Sequence, residues 1–170
     1  MSNSLEVVPY AHAQSIYQVD TAFFAFEEDF VEDNIRCIPM IVRFKLDACG
    51  IKLQLQQWSK LNQPEREALS FTPCATTAQL THYRQLLAAF ITSHQCGPLV
   101  TLPVNNNPAW ADIHALPQEL VTKLDELHLY LPLQAWKELS RLQRFALLKL
   151  CRPGHENRNF PLAFKEFGLA

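Results

Sequence analysis

The stretch Arg152-Pro-Gly-His-Glu-Asn-Arg-Asn-Phe160 gathers more chemically capable side chains than any other part of the chain. Arg152, His155, Glu156, Asn157, Arg158 and Asn159 together could hold an anion or grip a loop of a partner protein. The same residues also suit a hydrogen-bonded turn that docks a C-terminal helix on the core, and the sequence leaves both readings open. Arg36 and Arg43 could serve as further donors to an anion. Alternatively they neutralise Glu27, Glu28, Asp29, Glu32 and Asp33, which share a short segment with four phenylalanines.

Five cysteines, at 37, 49, 74, 96 and 151, follow no tight pattern. Cys151 and His155 have a Cys-x-x-x-His spacing, but zinc takes four ligands, usually as two close pairs, and the sequence holds no second pair. Cys37 and Cys49 lie on or near apolar faces, where a free thiol acts as a small hydrophobe. Buried, inert thiols are expected, with no metal and no cofactor. Nucleophilic chemistry at Cys151 or His155 needs a partnered base, which spacing does not reveal, so no catalytic residue is assigned.

Asp47 and Arg66 recur as Asp125 and Arg144. An arginine in the first turns of a helix opposes the helix dipole and needs another reason to be there. Ion pairs Asp47–Arg66 and Asp125–Arg144 are expected, each tying two helices, with an anion site built by the arginines as the alternative. Trp58 and Trp136 each precede a leucine by three positions on short amphipathic segments, which places them in the core rather than on a stacking platform.

The elements that position these residues come in two copies. Residues 35–69 align without a gap on residues 113–147, and thirteen positions are identical, where chance gives roughly two or three. In the first copy a helix is predicted over Pro39–Cys49, ending at Gly50, followed by a short helix over Leu55–Lys60. Asn62 and Glu65 form a capping box for the next helix. In the second copy Pro117 and Pro132 open the matching helices, and Ser140 with Gln143 repeats the box. A longer helix is predicted from Thr77 to Ser93, and a short one over Pro161–Gly168. Residues 1–19 read as a lead-in and 20–170 as one helical domain. Within it lie repeat one (about 35–93), an irregular proline-rich linker (95–116) and repeat two (about 113–168). The fold class expected is all-α, with the two repeats packed about a pseudo-twofold axis.

Composition narrows the function. Apolar residues make up 48% of the 170, enough for a buried core. A net charge of −2 gives no electrostatic hold on nucleic acid or anionic lipid. No apolar run is long enough to span a membrane, and no secretory signal opens the chain, so a reduced cytoplasmic setting is expected.

At Arg36-Cys-Ile-Pro-Met40, Lys45-Leu-Asp-Ala-Cys-Gly-Ile-Lys-Leu53, Gln143-Arg-Phe-Ala-Leu-Leu-Lys-Leu150 and Gly154-His-Glu-Asn-Arg-Asn-Phe160, the chain resembles the nitrate reductase-associated proteins of photosynthetic bacteria. The resemblance covers about Phe23 to Leu169. It implies a setting beside nitrate assimilation and molybdenum-cofactor synthesis, and carries over no catalytic residue or ligand. The resulting expectation is a non-enzymatic accessory protein that contacts nitrate reductase or a molybdenum-cofactor synthesis enzyme. The alternative is a sensor or carrier of an anion such as nitrate or a molybdenum-cofactor intermediate.

Overall fold

The computed structural model describes residues 16–27 and 38–170. Among them the chain is mostly helical: α1 Met40–Cys49, α2 Leu55–Lys60, α3 Gln63–Phe71, α4 Thr77–Ser93, α5 Gln118–Glu126, α6 Leu133–Glu138, α7 Arg141–Cys151 and α8 Phe160–Glu166. The starts of α5, α6 and α7 each fall 78 residues after those of α1, α2 and α3. Short 3-10 turns occupy Ala25–Glu27, Ala109–Ala111 and His155–Asn159. An antiparallel ribbon pairs β1 Ile51–Lys52 with β2 Val100–Thr101. Part of the ribbon therefore lies in the stretch 95–116, where regular structure was not expected. Two residues per strand are too few to imprint a period on the sequence. Tertiary contact makes the pairing, and the Leu102 N–H extends it by donating to the Gly50 carbonyl at 2.7 Å.

Helix starts follow local chemistry. Asn62 with Glu65, Thr76 with Gln79 and Ser140 with Gln143 close reciprocal capping boxes on α3, α4 and α7. Helix α1 lacks such a box, because the residue before it is Pro39. Its first N–H is satisfied from outside: Glu27 Oε1 accepts from Met40 N at 2.7 Å, while Oε2 accepts from Phe24 N at 3.3 Å. Burial pushes the Glu27 carboxyl up to about 7, although these two N–H groups and Arg43 pull it down. In the unfolded chain the group ionises near its ordinary value of 4.5. Between these two values the fold retains a proton that the unfolded chain has lost, so rising pH favours unfolding until the penalty is complete above about 7. Glu27→Gln gives up one of the two acceptors but should flatten this dependence, so its stability relative to wild type should rise by on the order of 2–3 kcal/mol from pH 5 to pH 8. Urea unfolding at the two pH values checks it, and parallel profiles for the two proteins would rule the assignment out.

The core is built on α1 and α7, which pack against each other. Ile41, Val42, Phe44 and Leu46 of α1 are buried, as are Phe145, Ala146, Leu147, Leu148 and Leu150 of α7. The Phe44 ring meets Phe145 edge-on and tilts against Trp110, both at 5.1 Å between centroids. Each such buried side chain contributes about 2–3 kcal/mol through the water it sheds. Helices α3 and α4 lie against α1, while α5 and α8 lie against α7. Trp58 and Trp136 are buried in the core, as their spacing predicts.

The N-terminal segment is fastened at several points, among them Thr21 to the Ser70 carbonyl and Arg141 to the Gln18 carbonyl. Tyr17, in the expected lead-in, packs edge-on against Phe44 and Trp110 and donates to the Asn105 carbonyl. Glu166 of α8 accepts from Ala25 N and Phe26 N at 2.8 and 2.9 Å, and Phe167 packs on Phe24 and Phe26. Residues 1–15 and 28–37, which include most of the acidic phenylalanine segment, lie outside the described residues.

The expected ion pairs are corrected by the structure. Arg66 does not reach Asp47: its Nη2 donates to the carbonyls of Trp58 and Ser59, and the guanidinium lies 5.5 Å from the Trp58 ring centre. Arg144 likewise donates to the Trp110 and Leu139 carbonyls and lies 5.8 Å from the Trp136 ring centre. Asp47 instead meets Lys149 at 2.9 Å, and Asp125 is exposed. The physical reason is that the short helices α2 and α6 end in carbonyls that lack an i+4 partner, Ser59 and Leu139 among them. The arginine one turn into the following helix folds back onto that end and covers the tryptophan beside it. This also explains why a cation tolerates a position near a helix N-terminus.

Candidate functional site

The C-terminal end of α1, the β1–β2 ribbon, the Ala109–Ala111 turn and the end of α7 enclose an open cleft of about 920 Å³. Its apolar surface includes Leu46, Trp110, Phe145 and Leu148, with Ile51, Leu53 and Leu102 on the ribbon side. Gly50 allows the ribbon to start there. It takes the left-handed conformation at φ 65°, ends α1, and sits against the Leu102 carbonyl.

Charge in the cleft is asymmetric. Arg43, Lys52, Lys149 and Arg152 line it against Asp47 and Glu119. The Lys149–Asp47 pair joins α7 to α1, and the Lys149 ammonium also lies 5.0 Å from the Phe145 ring centre. Arg43 is held at the start of its helix by donating from Nε to the Ile38 carbonyl at 2.7 Å. Arg152, just beyond α7, is exposed, as is Lys52 on β1. Partial burial and the Asp47 charge push the Tyr17 phenol up, so it stays neutral and serves as a hydrogen-bond group. Among the described residues, the trough carries Arg43, Lys52, Lys149 and Arg152 against Asp47 and Glu119, a lining that suits an anionic group attached to an apolar body.

The sequence candidates divide accordingly. Arg43 and Arg152 come together on this cleft. Arg158 is exposed and does not line it, while Asn159 is buried directly before α8 and Asn157 is half-buried. The backbone of His155–Asn159 forms the 3-10 turn that packs against both α7 and α8. Arg36, Cys37 and the side chains of His155 and Glu156 lie outside the described residues. Cys151 is no activated nucleophile: burial first, and then Glu119, push its thiol up to about 12. Lys52, Lys149 and Asp47 were not recognised as cleft residues from sequence, because a lysine on a helix or strand carries no local sign of what it will face. Among the described residues, no three histidine, cysteine or acidic side chains gather as a metal site.

A family model described as conserved nitrate reductase-associated protein matches residues 23–167. The chain belongs to that family. No curated protein and no solved structure matches it. The family match spans every element that forms the cleft, from α1 through the end of α7. The family's name links the chain to nitrate reductase. Among the described residues, no helix is long and apolar enough to cross a membrane.

Proposed function

We propose that this chain is a non-enzymatic accessory protein of nitrate assimilation. It acts in the cytoplasm by protein–protein contact on the maturation, assembly or regulation of nitrate reductase, or on a molybdenum-cofactor synthesis enzyme. The observation that carries the reading is the family match over residues 23–167. The cleft supports it with a surface of the right kind, an apolar trough edged by Arg43, Lys52 and Arg152. We place the contact there and on the adjoining 152–158 loop, including Arg158 and the positions of His155 and Glu156. The matched helix starts at an offset of 78 residues support descent from a duplicated unit, with two repeats about a pseudo-twofold axis.

The test uses the purified chain with purified nitrate reductase and, separately, with a molybdenum-cofactor synthesis enzyme from the same organism, complex formation being read by calorimetry. A stoichiometric complex is expected, and reversing two rim charges with Lys52→Glu and Arg152→Glu should weaken it about tenfold or more. Unchanged affinity in the double variant would move the contact off the cleft. No complex with either enzyme class would refute the accessory reading.

One observation favours a second reading, that the chain senses or carries an anion such as nitrate or a molybdenum-cofactor intermediate. Arg43 and Arg152 are distant in sequence yet line one concave surface together with Lys52 and Lys149. Heat on titrating nitrate or molybdate into the chain alone, abolished by Arg152→Ala, would favour it. Calorimetric silence with both would count against it.

A further inference from the structure

The two most deeply buried described thiols face each other. Cys49 is the last residue of α1 and Cys74 lies between α3 and α4; they are 3% and 4% exposed. Their sulfurs are 3.3 Å apart, inside ordinary van der Waals contact, although 25 positions separate them in sequence. That separation is why the cysteine pattern gave no sign of a pair. A move of about 1.3 Å would bring the sulfurs to bonding distance. Their surroundings are cationic: Arg84 Nε donates to the Cys49 carbonyl at 3.0 Å, and the Cys74 thiol points at the carbonyl of Lys45, whose ammonium holds Ser70 and Thr72. The remaining titratable neighbour is the buried phenol of Tyr83, committed to the Leu69 carbonyl.

We propose that Cys49 and Cys74 form a reversible disulfide, closed by a peroxide and reopened by a dithiol. The two thiols are unequal. The Cys74 thiol has an acceptor for its proton in the Lys45 carbonyl at 3.7 Å, while Cys49, beside Arg84, is the thiol held low, which makes Cys49 the nucleophile. The Cys49 thiolate attacks one oxygen of hydrogen peroxide, breaking the O–O bond to give a sulfenic acid and hydroxide. The Cys74 sulfur then displaces the sulfenic oxygen, which leaves as water with the proton Cys74 gives up. Both sulfurs are oxidised, and the peroxide is reduced to two waters once the proton Cys49 lost is returned to the hydroxide. A dithiol reverses the bond by exchange. Burial admits only a small, neutral oxidant to the closed fold, the reducing dithiol reaches the bond through local opening of the α1 end, and in a reducing compartment the resting state is the dithiol. The bond would tie the end of α1 to the α3–α4 connection, one residue before Gly50 opens the cleft wall.

The full chain, fully reduced, is treated with hydrogen peroxide, denatured, alkylated and mapped by mass spectrometry. The expected product joins the Cys49 and Cys74 peptides, blocks alkylation of these two residues only, and disappears with dithiothreitol. Closing this loop should raise Tm by roughly 6–12 °C. Cys49→Ala/Cys74→Ala should keep the resting melting behaviour within a few degrees and lose the peroxide-dependent rise. Cys96→Ser should keep the rise. A dominant link to Cys37, Cys96 or Cys151, or sulfinic acid at Cys49 without any link, would overturn the proposal. The peptide map is read on the wild-type chain, so it is decisive even if the double variant fails to fold.

Discussion

Gly50→Ala should cost about 3–5 kcal/mol, through two penalties that add. A Cβ at this position would lie 2.4 Å from the Leu102 carbonyl oxygen and 2.9 Å from Val104 Cγ2. The first of these is backbone, held in place by the Leu102 N–H bond to the Gly50 carbonyl, so it cannot swing away. The second penalty is the left-handed φ of 65°, which strains any side chain by about 1–2 kcal/mol. Gly168→Ala is the control. That residue has φ 72° but nothing within 4 Å of the added carbon, so only the conformational term of about 1 kcal/mol applies. Chemical unfolding of the two variants measures the contrast. Equal losses would show that the ribbon gives way at no cost and that Gly50 is required for its φ alone.

The next largest effect is expected at Arg144. Its side chain is buried and satisfies the carbonyls of Trp110 and Leu139, two segments that it joins across the core. Arg144→Ala would leave both acceptors facing an apolar hole and uncover Trp136, for a loss of about 3–4 kcal/mol. Lysine should recover little, because one ammonium cannot reproduce a planar fork directed at two carbonyls. The counterpart Arg66 is less buried, its bonds are 3.1 and 3.3 Å long, and its Nε makes no hydrogen bond. Arg66→Ala should therefore cost only about 1 kcal/mol. Equal losses at the two sites would mean that stacking on tryptophan dominates and the carbonyl bonds contribute little.

How much could be read from the chain beforehand depended on how local each signal was. The starts of α3 and α7 were legible because a capping box is complete within four residues. The burial of Trp58 and Trp136 was legible because helical spacing sets which face turns inward. Partners across space were not. Asp47 and Arg66 looked like a brace because both recur, yet a recurring residue type does not say what the side chain touches. Lys45 and Lys123 make the point. They occupy matched positions, but Lys45 is buried and caps the end of α3 through Ser70 and Thr72, whereas Lys123 meets Glu126 on its own helix at 3.2 Å. The cleft was half legible. Arg43 and Arg152 stood out as arginines, while Lys52 and Lys149 gained significance only when the ribbon and α7 were brought together.

The Glu166 and Glu27 contacts have a consequence for biosynthesis. Glu166 fixes the backbone of Ala25 and Phe26, and the next residue, Glu27, supplies the acceptor that starts α1 at Met40. During synthesis α1 emerges from the ribosome long before Glu166, which fixes the segment that carries Glu27. The first half of the chain therefore waits with an incomplete helix start and an unsealed aromatic face until residue 166 has been added. Although its helices recur along the chain, the molecule should mature as one unit after translation of α8, and not half by half.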